Sequence, residues 1–350
     1  MTREHTKQIH VGGVALGGGA QVSVQSMCNT PTADAQATLA QIRKLADAGC
    51  DIIRVAVPDN DAAQAMKQIC AESPIPVVAD IHFDYRLALL CVEAGAAKIR
   101  INPGNIGAPE RVRAVAEACG RRGVPIRIGI NAGSLEKRLL EKYGAPTAEA
   151  LVESAADHAA LLERFGFTDI CLSLKASSVP LTVAAYRLAA QRFPYPLHLG
   201  VTEAGTLTQG TIQSAMGIGA LLLDGIGDTI RVSLTADPVE EVRAGIAILK
   251  AAGLRKSGPK VVSCPTCGRT QIDLIAAANE VERRLSGCTR DITVAVMGCV
   301  VNGPGEAREA DYGLAGGRGE AALFRRGEVL GKVPESGMVD ALMDLIEQDS

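Results

Sequence analysis

The chain has 350 residues, 36 Lys and Arg against 39 Asp and Glu, a formal net charge of −3, only 3% aromatic residues and no tryptophan. That balance excludes a general nucleic-acid surface, and the shortage of aromatics excludes a stacking platform for bases. No apolar run reaches membrane-spanning length and residues 1–5 lack a signal-peptide core, so the expectation is a soluble cytoplasmic protein with neither membrane nor nucleic-acid partners.

The length predicts about two domains. After a glycine-rich opening at 9–19 that reads as a hairpin or lid, an alternation of apolar strand and amphipathic helix begins. The predicted pairs are strand 22–24 with helix 34–48, 52–57 with 62–69, 77–80 with 85–93, and 98–101 with 110–122. Four more follow: 126–130 with 147–163, 170–173 with 181–191, 197–200 with 212–222, and 230–233 with 238–252. Glycines 49, 95 and 253 supply helix stops. Eight such units over about 250 residues have the rhythm of a TIM (β/α)8 barrel, with an open doubly wound sheet as the alternative. The barrel is assigned to residues 1–253 and a linker to 254–260. A small α+β domain is assigned to 261–350, with strands at 261–263 and 292–296, short strands near Tyr312 and at 324–330, and helices at 271–285 and 334–347.

In a TIM barrel the active site lies at the C-terminal ends of the strands. Read there, Arg54, Arg100, Arg127, Lys175 and Arg231 converge as cations from five strands, accompanied by His82, Asn102, Asn131 and Ser233. A parallel strand is buried on both faces, so each unpaired arginine costs roughly several kcal/mol. Any single one reads better as a structural ion pair. Together they outnumber Asp80 and Glu203, the obvious strand-end acids, and the surplus predicts a polyanionic ligand such as a diphosphate. Glu203, a lone acid among cations, is predicted to move a proton, with a clamp for an arginine as its structural reading.

Ten cysteines in a chain without a secretion signal read as reduced thiols. Cys50, Cys70, Cys91, Cys119 and Cys171 fall in apolar segments and read as small core residues, whereas Cys28 stays unassigned. Cys264 and Cys267 form a C-x-x-C, and Cys299 adjoins a Gly-Pro-Gly loop. That is metal-ligand spacing. All five histidines precede Cys264, which leaves Cys288 or an oxygen donor such as Glu306 for a fourth position. Spacing alone admits a 4Fe–4S cluster, a structural zinc or a redox dithiol. The phosphate-binding barrel beside it favours redox chemistry, and the lack of G-x-G-x-x-G after a strand points to electrons from a protein carrier. A phosphosugar aldolase or isomerase with a Lys175 Schiff base and a zinc module is the alternative. An iron–sulfur sensor finds no basic helix to support it.

The segments 263–269, 297–306, 100–105 and 225–233 together resemble the 4-hydroxy-3-methylbut-2-enyl diphosphate synthase family in its bacterial two-domain form, and the likeness covers essentially the whole chain. The resemblance implies a 4Fe–4S cluster held by Cys264, Cys267, Cys299 and Glu306, which leaves Cys288 structural, in a module similar to that of sulfite and nitrite reductases. It implies reductive opening of 2-C-methyl-D-erythritol 2,4-cyclodiphosphate in the non-mevalonate isoprenoid pathway. Substrate binding then falls to Arg54, Arg100, Arg127, Asn131, Lys175 and Arg231, and acid/base work to Glu203. It further implies a head-to-tail homodimer and reduced flavodoxin or ferredoxin as electron donor.

Overall fold

The computed structural model describes residues 2–256, 258–299 and 309–349. Two compact units divide the chain, Met1–Arg255 and Lys256–Ser350, each with its own hydrophobic core.

In the first unit a hairpin of β1 (Ile9–Val11) and β2 (Val14–Leu16) precedes eight parallel strands. These are β3 (Ser23–Met27), β4 (Ile52–Ala56), β5 (Val77–Asp80), β6 (Lys98–Ile101), β7 (Ile126–Asn131), β8 (Ile170–Lys175), β9 (His198–Leu199) and β10 (Thr229–Ile230). The order β8-β7-β6-β5-β4-β3-β10-β9 is closed by a parallel bridge between Leu172 and Leu197, so the sheet is a barrel and not an open doubly wound sheet. Side-chain oxygens of Asp34, Asp59, Asp84, Thr147, Ser178 and Asp237 cap the N-termini of outer helices. Gly49, Gly95 and Gly253 end helices at positive φ, as read from the sequence.

The hairpin is a plug and not a lid over the site. Ile9, Val11 and Leu16 pack on Ile52, Val78 and Cys171, residues at the N-terminal ends of β4, β5 and β8. Three apolar side chains from a hairpin this short find their burial only against the inward-facing apolar residues of that end. The plug therefore leaves the opposite mouth to the ligand.

The alternation of inward and outward side chains decides where charge goes. Ile53, Val55, Ile99, Ile101, Ile126 and Ile128 face the helices and belong to the main core. Arg54, Arg100 and Arg127, their immediate neighbours in sequence, face into the barrel. Boundaries moved where β9 and β10 shrank to two residues each and the following helix began at Leu207 instead of 212. A helix at Lys137–Tyr143, unforeseen, fills the loop after β7.

The second unit is a mixed five-stranded sheet, β11 (Lys260–Ser263), β12 (Thr293–Met297), β13 (Tyr312–Gly316), β14 (Glu320–Arg325) and β15 (Glu328–Pro334), in that order. Strands β11 to β13 run parallel and the last two antiparallel. Helices Leu274–Leu285 and Met338–Gln348 bury Val281, Leu285, Leu342 and Ile346 against it. The single strand predicted at 324–330 is the tip of a hairpin. Arg326 and Gly327 both take positive φ, at 48° and 80°, and join β14 to β15 by a two-residue turn.

Candidate active site

A cavity of about 240 Å³ opens at the C-terminal mouth of the barrel, lined by Met27, Arg54, Asp80, His82, Arg100, Arg127, Asn131, Ser173, Lys175, Thr202, Arg231 and Ser233. Eight of the predicted ligand residues thus meet in one place. Arg54, Arg100, Arg127, Asn131 and Lys175 rise from strands and Arg231 follows β10 by one residue, so the cations are positioned before any ligand arrives.

Charge in the cavity is far from balanced. Asp80 accepts from Arg100 Nη1 at 3.0 Å and lies 3.6 Å from Arg54 Nε. Burial pushes its carboxyl up, but Arg54 and Arg100 outweigh burial and hold it at about 2. Arg54 also donates to the Met27 sulfur, from Nε at 3.1 Å and from Nη2 at 2.8 Å. Arg231 Nη2 pairs with Glu241 at 3.3 Å. Among the described residues, Arg127 and Lys175 have no carboxylate partner, and Nε of Arg100, Nε and Nη2 of Arg127 and Nε of Arg231 are buried without an acceptor. Burial, reinforced by Arg100, lowers the Arg127 guanidinium to about 10. Burial also pulls Lys175 well below an ordinary lysine, with Arg127 and Arg231 adding to the effect. Buried donors without acceptors cost stability, and an anion with several oxygens restores what the protein lacks.

Two glycines make room for this arrangement. A Cβ on Gly129 would fall 2.5 Å from Arg100 Nε, and one on Gly200 would fall 2.5 Å from Lys175 Nζ and 2.6 Å from the Arg231 carbonyl. Neither glycine has a positive φ, so the reason for both is clearance. Arg100 lies across the β7 backbone, with Nη2 3.4 Å from the Gly129 carbonyl.

Two predicted residues stand outside the cavity lining. Asn102 spends its Oδ1 on the Gly104 N–H, at 3.0 Å, as the cap of the short helix Pro103–Ile106. Glu203 is exposed on the loop after β9 with φ of 54°, a left-handed conformation unusual for a side chain of its size. Among the described residues it clamps no arginine; Glu241 does, from the first turn of helix Pro238–Ala251. Glu241 was missed because it lies on a helix and not at a strand end. Met27, Ser173 and Thr202 were missed because neutral side chains carry no signal in a search for charge, although β3 and β8 place the first two by inward alternation.

In the second unit Cys264 follows β11 directly and Cys299 follows β12 by two residues, so parallel neighbours carry both to the same edge. The Gly298 N–H donates to Cys264 Sγ at 3.2 Å. Cys267 is exposed, and the Arg269 backbone N–H, then its guanidinium, pull its thiol below the usual value. Donors aimed at sulfur and a thiol biased toward thiolate fit a soft metal or iron–sulfur group in kind. Among the described residues no three His, Cys, Asp or Glu side chains are gathered to hold an ion by themselves. The fourth predicted ligand, Glu306, lies outside the described residues. Cys288 packs against the core of this unit.

Fold and site together define a (β/α)8 barrel with a cation-lined mouth, in a chain that also carries a small cysteine-bearing α+β module. The GcpE TIM-barrel domain model matches residues 6–246 and the GcpE protein C-terminal domain model matches residues 260–348, and the chain belongs to the GcpE family. A protein of Geobacter sulfurreducens called 4-hydroxy-3-methylbut-2-en-1-yl diphosphate synthase (flavodoxin) is 64% identical over 343 residues, covering 98% of this chain and 97% of that one. One of the same name from Clostridium perfringens is 59% identical over 99% of both chains. Among solved structures, phospho-2-dehydro-3-deoxyheptonate aldolase from Thermotoga maritima aligns with 72% of this chain and 74% of its own, at TM-score 0.50 and 12% identity. That likeness concerns the barrel fold alone.

Proposed function

We propose that this chain is the reductase that converts 2-C-methyl-D-erythritol 2,4-cyclodiphosphate into 4-hydroxy-3-methylbut-2-enyl diphosphate, with reduced flavodoxin as the electron donor. The near-identical length and high identity of the synthases named above support the assignment. The single structural observation that carries it is the surplus of buried cations at the barrel mouth, which suits a ligand with two phosphates. The rival reading of a redox-inert aldolase with structural zinc is set aside by family membership.

The reaction takes up two electrons and two protons, opens the cyclic diphosphate ester and releases one water. Arg54, Arg100, Arg127, Lys175 and Arg231 hold the two phosphates, whose charge persists from substrate to product, and so fix the carbon skeleton relative to the mouth. His82, Asn131 and Ser233 add polar contacts at the rim. Glu203, on its left-handed loop, delivers the proton that lets the hydroxyl leave as water. Cys264, Cys267 and Cys299, with Glu306, would hold a 4Fe–4S cluster, which supplies single electrons and a Lewis-acidic iron when bound.

A homodimer completes the reading, with the cysteine module of one subunit serving the barrel of the other. Support for an interface on the barrel comes from an apolar groove between helices Leu207–Leu223 and Pro238–Ala251, bordered by the exposed Met216 and Leu223.

Glu203→Gln tests the assignment directly. The expected result, in anaerobically purified protein, is unchanged iron content and substrate affinity with kcat lowered by roughly 10²–10⁴-fold. Wild-type turnover in that variant removes Glu203 from the chemistry, and failure of the unaltered enzyme to consume the cyclic diphosphate with reduced flavodoxin removes the function.

A further inference from the structure

Beneath the lined cavity lies a buried cation that the proposed chemistry leaves unused. Lys98, the first residue of β6, alternates with Ile99 so that its side chain turns into the barrel one step below Arg100. It is fully buried, and its Nζ has no acceptor among the described residues. Its strand neighbour Val78 belongs to the apolar plug at the closed end, which leaves the ammonium no route to solvent on that side. The groups acting on it are Arg54 from β4, Arg127 from β7 and Cys171 from β8, with His198 of β9 sensing it in turn. None of these is a carboxylate. Gln25 and Thr229, also buried in the barrel, are equally without partners.

We propose that Lys98 is a sixth, concealed cation of the anion site, and that seating the cyclic diphosphate above it is coupled to uptake of a proton inside the barrel. This rests on the diphosphate reading given above. Among the described residues Arg54, Arg100, Arg127, Lys175, Arg231 and Lys98 face only Asp80 and Glu241, so the empty barrel would carry four unneutralised positive charges if every group were protonated. Guanidinium groups do not release protons in proteins, so the two lysines are where this charge is relieved. Burial lowers Lys98 to about 8 and takes Lys175 well below its ordinary value. Both shifts run in the direction that empties a lysine of its proton. A cyclic diphosphate carries one ionised oxygen per phosphorus and keeps a charge of two minus across the neutral and mildly alkaline range. It brings no titration of its own, restores the attraction the lysines lack and draws a proton back.

The sign follows. Affinity is highest where Lys98 is already protonated, below about pH 8, and falls as pH rises through that value. Lys98 is a positioning residue for charge, acting through Arg127 and Arg54, and need not touch the substrate.

The test is calorimetry of the cyclic diphosphate with the full-length holoprotein, without reductant, in buffers of different ionisation enthalpy between pH 7 and 9. The wild-type protein is expected to take up a measurable fraction of a proton near pH 8. Lys98→Met is expected to cut that uptake by at least half, flatten the pH dependence of affinity and weaken binding about tenfold at pH 7. Lys98→Gln provides the same comparison should the Met variant melt early. A merely structural role would lower affinity without changing the proton count. Equal proton uptake in wild type and a folded neutral variant overturns the proposal. Absence of binding to the wild-type protein instead overturns the diphosphate reading beneath it.

Discussion

The two candidate centres are built by opposite means. At the barrel mouth Arg54, Asp80, Arg100, Arg127 and Lys175 stand on strands, Arg231 follows β10 by one residue and Glu241 sits in the first turn of a helix, all with little exposure, so the arrangement is largely set before a ligand comes. In the C-terminal unit the cysteines sit just past strand ends, with Cys267 exposed and Cys299 buried, and no three donors converge among the described residues. Repulsion between fixed cations is tolerated because barrel strands are braced on all sides. Thiolates need a metal to bring them together, and metal binding then contributes directly to order. The comparison separates a site that stores electrostatic strain from one that stores none until it is loaded.

Breaking the cysteine centre should therefore leave the barrel untouched, and this is the largest effect expected. Cys299→Ser should abolish the iron–sulfur absorption and all turnover while the cyclic diphosphate still binds with wild-type affinity by calorimetry. Separate hydrophobic cores in the two units underlie that independence. Loss of substrate binding in this variant would show that the centres are not built separately.

Removing a barrel cation should give the mirror image. Arg127→Met deletes a charge that, among the described residues, no carboxylate pairs with. Affinity is expected to fall by roughly 30- to 1000-fold, or about 2–4 kcal/mol, while iron content stays constant. The barrel should melt no earlier than wild type, because an uncompensated buried charge has been replaced by an apolar side chain. A marked drop in melting temperature would mean that Arg127 has a structural partner in solution.

A smaller and sharper effect is expected from Gly129→Ala. The added methyl meets Arg100 2.5 Å from Nε, and Arg100 can yield only by swinging off β7. KM should rise about tenfold with kcat nearly unchanged. In an Arg100→Lys background the same methyl should cost little, since the shorter-headed side chain no longer crosses the glycine. Equal losses in both backgrounds would trace the effect to the strand and not to the guanidinium.

How much of this could be read from the sequence depends on the kind of signal. The barrel was legible because eight repeats of strand and helix leave few topologies, and the cation ring followed from the rule that strand ends make the site. Arg54 and Arg127 stand out because charge is expensive inside a parallel strand. Glu241 did not stand out, since a glutamate in the first turn of an amphipathic helix is ordinary and only the turn of the loop at 231–237 brings it back to Arg231. Lys98 was invisible for the opposite reason: it opens its strand, where a lysine usually reaches solvent, and only the hairpin plug denies it that exit. Asn102 reads as a ligand from its strand-end position, whereas its Oδ1 accepts from the Gly104 N–H as a helix cap.

Glu203 joins the two halves of the comparison, because its strain lies in the backbone and not in its charge. A φ of 54° places an exposed glutamate where glycine is at ease and other L residues are not. Glu203→Gly should therefore stabilise the barrel by about 1 kcal/mol, roughly 2–4 °C in its melting transition, while lowering turnover as far as Glu203→Gln does. Glu203→Ala should lose the same activity without gaining stability, since alanine keeps the Cβ that the left-handed conformation disfavours. If the glycine and alanine variants melt together, the loop carries no strain. If glycine alone gains, this residue keeps its unfavourable backbone because its carboxylate is needed there, and the position has traded stability for chemistry.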